Sequence, residues 1–116
     1  MIKITVDEGA AFDALSILDV KYESGKDTML ISANWHLLRN EIVAQIGEEK
    51  FNTILESEEY KNLVRKNRET FHLVDEIGES GEGLAKRAHS ANMERYEAKK
   101  KLQKTFFTGK LREVKL

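Results

Sequence analysis

The chain contains no proline. Proline is the residue that most reliably interrupts a helix, because it has no amide proton and its ring clashes with the preceding turn. Its absence from all 116 residues, among many strong helix formers, lets helices run from one glycine to the next. The fold class this predicts is all-α: an antiparallel helical bundle built on a long helical hairpin, in a single domain spanning 1–116.

The helix ends follow from local chemistry. Thr5-Val6-Asp7-Glu8 has the spacing of a capping box, and Gly25 is the residue best able to take the left-handed conformation after a helix. Asp27 or Thr28 can cap the next segment, and Glu48 and Glu49 carry the sign that suits a helix N-terminus. The expected helices cover about 6–24, 28–46, 48–77 and 82–107; the third is read as continuous, with Ser57 as the one residue that could cap a new helix within it. The stretch 78-GESGEG-83 is the clearest loop. IKITV at 2–6 and KLREVKL at 110–116 alternate in polarity, and short extended segments that pair are expected there.

Composition narrows the function. Charged residues make up 34% of the chain yet the net charge is -1, so nothing favours nucleic acid or an anionic membrane as a partner. The basic residues Lys99, Lys100, Lys101, Lys104, Lys110 and Arg112 read as a solvated helix end. With no cysteine there is no disulfide, thiolate metal site or cysteine nucleophile. Apolar runs fall short of the ~20 residues that span a bilayer, and the N-terminus turns acidic early, so a cytosolic protein is expected.

Motifs of chemistry do not assemble. Glu56 with Glu59 and Glu76 with Glu79 have the spacing of the helical nucleotide pyrophosphohydrolases, but on one continuous helix the pairs stand too far apart to share an ion. Glu69 and His72 match half of a di-iron motif that His36 and His89 do not complete. The histidines lack zinc-binding spacing, and the 78–83 glycines lack the Lys-Ser/Thr of a phosphate loop. Neither a cofactor nor a metal is therefore expected. Trp35 reads as a core or interface anchor.

The informative residues are polar ones inside apolar stripes. The first helix, GAAFDALSILDVK, is apolar nearly all round yet carries Asp13, Ser16 and Lys21, which suggests a central position. Asn34 and Glu41 fall among Leu30, Ile31, Leu37, Leu38, Ile42 and Ile46. Asn67 falls within the stripe of Tyr60, Leu63, Val64, Phe71 and Val74. Arg95, flanked by Asn92 and Lys99, interrupts Leu84, Ala88, Ala91, Ala98, Leu102 and Phe106. A neutral polar group buried without a partner costs roughly 1–3 kcal/mol, and a charge more. These groups must pair, reach water or bind something. The expected pairs are Glu41 with Arg95 or Lys99, Asn34 with Asn67, and Asp13 with Arg95 or Lys99. A buried register-setting network is one outcome, a polar cleft for a small ligand or anion a second, and a polar stripe at an oligomer interface a third.

The pattern Gly9, Phe12-Asp13, Leu15-Ser16-Ile17-Leu18, Val20-Lys21 resembles a small uncharacterised family of bacterial and phage-associated proteins, a domain of unknown function. The resemblance continues through Asn34, Glu41, Tyr60, Leu63, Asn67, Asp75, Asn92, Arg95 and Lys99 to Leu111-Arg112-Glu113 and Lys115, with Phe71 in place of a Trp and Lys110 in place of a Ser. It implies an all-helical fold and no particular activity. Its polar positions coincide with those picked out by periodicity. The candidate cluster is therefore Asp13, Ser16, Lys21, Asn34, Glu41, Asn67, Asp75, Asn92, Arg95 and Lys99. The chain reads as a non-enzymatic interaction or structural module, expected to form a homodimer because a thin helical bundle gains burial by association. The alternative is a small ligand- or anion-binding domain, or a minor enzyme, using that cluster.

Overall fold

A computed structural model of the protein describes residues 7–77 and 82–107, with side chains over 7–72 and 86–107. Within them are five helices and no strand: α1 (Glu8–Glu23), α2 (Thr28–Ile46), α3 (Glu48–Leu55), α4 (Glu58–Ile77) and α5 (Glu82–Phe107). The segments expected to be extended, 2–6 and 110–116, and Thr5 of the expected capping box lie outside the described residues. No described helix is long and apolar enough to cross a membrane.

Two boundaries differ from the expectation for physical reasons. Asp7 caps α1, its carboxylate accepting from the Ala10 amide at 2.7 Å, so the helix starts at Glu8. The helix expected over 48–77 is two, because Ser57 acts as an N-cap. Its hydroxyl donates to the Ile54 carbonyl at 2.6 Å and accepts from the Tyr60 amide at 3.1 Å, closing one helix and opening the next. Glu56 therefore ends α3 while Glu59 begins α4, and the first acidic pair straddles a bend. Gly25 and Gly47 take φ of 81° and 91°, the left-handed region that lets α1 and α2 turn sharply at their ends. Asp27 shares that region at φ 51° and opens α2 without a side-chain capping bond.

α4 and α5 form the hairpin. Lys66 of α4 meets Glu94 of α5 at 2.9 Å, and the two lie at nearly the same sequence distance from the 78–81 connection, as antiparallel arms require. α1 packs against α2, α4 and α5, while α2 touches mainly α1 and α3. The first helix is thus central, as its composition suggests. Gly9 makes this possible at one end: a Cβ there would lie 3.2 Å from Gln103 Cβ and 3.3 Å from the Lys99 carbonyl. Gln103 fills the notch by accepting from the Gly9 amide at 2.5 Å and donating to Glu8 at 3.0 Å.

The core gathers around Phe12. Its ring lies 5.9 Å from Phe51 of α3, 6.1 Å edge-on from Tyr60 of α4, and 6.2 Å from Phe107 of α5. Leu15, Ile54, Leu63 and Leu102 are fully buried beside it. One aromatic ring on α1 therefore joins three other helices, each contact in a favourable stacked or tilted geometry. Trp35, Leu38, Val43 and Ile46 of α2 pack on the outside of this core.

Candidate functional site

Four of the ten candidate polar residues converge at the junction of α1, α4 and α5. Asp13, Ser16 and Asn67 are buried, and Arg95 closes the group from α5 with a third of its side chain exposed. The Asn67 amide nitrogen donates to Asp13 Oδ1 at 2.9 Å and to Ser16 Oγ at 2.6 Å. Ser16 in turn donates to the Asp13 backbone carbonyl at 2.7 Å. The directions are forced. Ser16 has spent its one proton on that carbonyl, so its lone pairs face Asn67, and an ionised Asp13 can only accept. Only the amide nitrogen of Asn67 satisfies both, since its oxygen would face two acceptors.

Arg95 lies 3.5 Å from Asp13 Oδ2 and extends outward to Asn92 at 3.5 Å. Of the expected pairs, Asp13 with Arg95 is present. Asn67 bonds Asp13 and Ser16 instead of Asn34, and Arg95 meets Asp13 and Asn92 instead of Glu41. The physical reason is the placement of α2: it does not line this junction, and Asn34 and Glu41 are exposed on its outer side. Lys21 is exposed on α1. Lys99 is half-buried on α5, its ammonium 5.6 Å from the Tyr96 ring. The Asp75 side chain lies outside the described residues.

Asp13, Ser16, Asn67 and Arg95 do not line the cavity between α1 and α5, the one between α1 and α2 or the one between α4 and α5. No group of three His, Asp or Glu side chains among the described residues can hold a metal ion.

A second polar group, not singled out by periodicity, lies between α1, α2 and α4. The Tyr60 hydroxyl donates to Asp19 Oδ2 at 2.6 Å. Burial raises the Asp19 carboxyl above its ordinary value, against the hydrogen bond from Tyr60, a weaker contact with Trp35, and with the added push of Glu23. Tyr60 is driven far above the usual phenol range, first by burial and then by the charge of Asp19. The Trp35 indole nitrogen is buried without a well-formed hydrogen bond, although it stands near enough to Asp19 to influence it. The signal in the sequence was weak: Asp19 follows Leu18 as an ordinary polar residue, and only its separation by one turn from Ser16 hinted at an inward face.

An exposed bidentate pair completes the α1–α4 contact. Arg68 Nε and Nη2 meet the two Glu23 oxygens at 2.9 and 2.7 Å, and this hydrogen bonding holds the Glu23 carboxyl below its ordinary range. No family model, curated protein or solved structure matches the chain.

Asn67→Ala leaves the Asp13 carboxylate and Ser16 without their donor. It is expected to lower the unfolding free energy by about 2–4 kcal/mol in urea titration, from the usual cost of unsatisfied buried groups. Arg95→Ala, at a long and partly solvated contact, should cost less than about 1 kcal/mol. Asp19 behaves in the opposite sense to a salt-bridged acid. Because its folded carboxyl is raised, its contribution is favourable at low pH and is lost as pH rises from the unfolded value through the folded one. Asp19→Asn should therefore gain stability over the unsubstituted chain as thermal melts move from acid to neutral pH. A constant difference across that range would contradict this.

Proposed function

We propose that this chain is a non-enzymatic helical interaction module that pairs with a second copy of itself through the outer face of α2. The observation that carries this is the exposure of Met29, Leu30 and Leu37 at 88%, 64% and 65% on one helix. They sit in the segment 28–38, which has no Asp, Glu, Lys or Arg in a chain where such residues make up 34%. Single exposed apolar residues are commonplace, whereas three on one uncharged helical segment form a patch that water penalises.

The spacing favours a copy of the same chain. Leu30 and Leu37 are seven residues apart, with Ala33 and Asn34 exposed between them, and Glu41 and Ala44 continue the line. That is the seam of two helices lying side by side, with the small Ala33 and Ala44 permitting close approach. Over 28–38 the patch has no charge to repel its own copy or to select an oppositely charged protein, and Glu41 lies at its edge. An asparagine side chain both donates and accepts, so Asn34 can bond to its counterpart across a two-fold axis. The third outcome allowed by the sequence, a polar stripe at an interface, thereby fits Asn34 and Glu41.

The inner polar cluster supports a structural reading in a different way. Its donors and acceptors bond to one another, which leaves little for a substrate to engage. Of the carboxylates that suggested metal chemistry, Glu56 follows α3, Glu59 and Glu76 lie on α4, and Glu79 is outside the described residues.

Sedimentation equilibrium of the full chain should show a dimer. The double variant Leu30→Glu/Leu37→Glu should be monomeric with its melting temperature little changed, because neither side chain enters the core. An unsubstituted chain that remains monomeric up to about 1 mM would overturn the proposal.

A further inference from the structure

A cavity of about 160 Å³ opens between α1 and α2, lined by Leu18, Asp19, Tyr22, Ile31, Ser32 and Trp35. Its polar end differs from the Asp13 cluster in that no cation acts on its carboxylate among the described residues. The Asp19 carboxylate is half-buried, and the groups that act on it are Tyr60, Trp35 and Glu23, none of them a cation. The buried Trp35 indole N–H stands beside it without a well-formed hydrogen bond.

We propose that this cavity binds a small primary alkylammonium ion. Asp19 supplies the opposite charge in a setting poorly solvated enough for it to count. Of its oxygens, Oδ2 already takes the Tyr60 proton, which fixes the carboxylate in place and leaves acceptor capacity on the group for the ammonium N–H donors. The Ser32 hydroxyl is a second acceptor on the facing helix. Tyr22 and Trp35 bring two aromatic side chains to the lining, and aromatic rings attract organic cations. Leu18 and Ile31 offer apolar contact to the short alkyl chain. The volume equals that of about five liquid waters, room for a few carbons and not for a nucleotide. An anion is excluded by Asp19, and a wholly apolar guest would deprive the carboxylate of solvent with nothing in return.

Trp35 is the only tryptophan in the chain, so its indole N–H gives a single cross-peak that reports on this cavity. The full chain is titrated with butylammonium chloride, with butanol, and with sodium chloride at matched ionic strength. Butylammonium should move the indole resonance to saturation, while butanol and salt should not. Asp19→Asn should weaken the response by at least about tenfold. If that variant fails to fold, Ser32→Phe, which fills the cavity from the surface of α2, should abolish the response. The dimer-face variant Leu30→Glu/Leu37→Glu should retain it, which separates this site from the pairing proposed above. A parallel titration with Nα-acetyl-lysinamide distinguishes sources: a response to both amines means a lysine side chain can also occupy the cavity, and a response to butylammonium alone confines it to free amines. The proposal is overturned if butanol matches butylammonium, if Asp19→Asn or Ser32→Phe responds like the unsubstituted chain, or if no amine moves the resonance.

Discussion

Asn67 is the side chain on which the placement of α1 depends. α1 is apolar nearly all round and is surrounded by three other helices, so almost any rotation about its axis would bury some hydrophobic surface. Hydrophobic contact alone does not select one. Asp13 and Ser16 do, because both are buried in the observed setting and one residue of α4 satisfies both. Turning α1 by one residue would carry those groups away from Asn67 and leave a carboxylate in the core without a donor. The cost of that error, larger than most packing differences, is what makes a single register the winner.

Around this fixed point the remaining contacts reinforce one another. Phe12 lies one residue from Asp13 and reaches α3, α4 and α5 at once, so the register set by Asn67 also sets the aromatic stack. Gly9, one turn earlier, brings α1 against the backbone of α5, and Gln103 bonds both Gly9 and Glu8. Glu23 and Arg68 tie the other end of α1 to α4 at the surface. Interior polar groups thus specify position, the rings and aliphatic side chains of the core supply the buried apolar area, and exposed ion pairs add little beyond orientation.

Much of this was legible in the residues themselves. The missing proline and the glycine spacing indicate helices, and Asp13, Ser16, Asn67 and Arg95 stand out because each interrupts an apolar stripe. What periodicity does not encode is which face of a helix meets the core when the helix is apolar on more than one side. α2 shows this: Leu30, Ile31, Leu37, Leu38, Ile42 and Ile46, with Asn34 and Glu41, read as one inward stripe, yet only Leu38, Ile42 and Ile46 of these, with Trp35, meet the core while Leu30, Asn34, Leu37 and Glu41 are exposed. Both faces are apolar, and only the packing of α1 and α3 decides between them. Ser57 was ambiguous for a related reason, since a serine in a helical run can either continue it or cap the next, and the fold of α3 beneath Phe12 settles the matter. Asp19 gave only a weak signal, as one polar residue a turn from Ser16, and nothing in the sequence marks Tyr60 of another helix as its partner.

The molecule therefore separates its polar interior into a closed part and an open one, with α2 carrying the unfinished surfaces: an uncharged outer face and one wall of the Asp19 cavity. The central claim, that a self-satisfied buried network holds α1 in register, is tested most directly by hydrogen exchange at the Asn67 side-chain amide in the folded protein. If the network is closed, both amide protons exchange only when the protein unfolds, with protection close to that of the slowest backbone amides of α1 and α4. Side-chain protons that exchange as fast as those of an exposed asparagine such as Asn52 would contradict it.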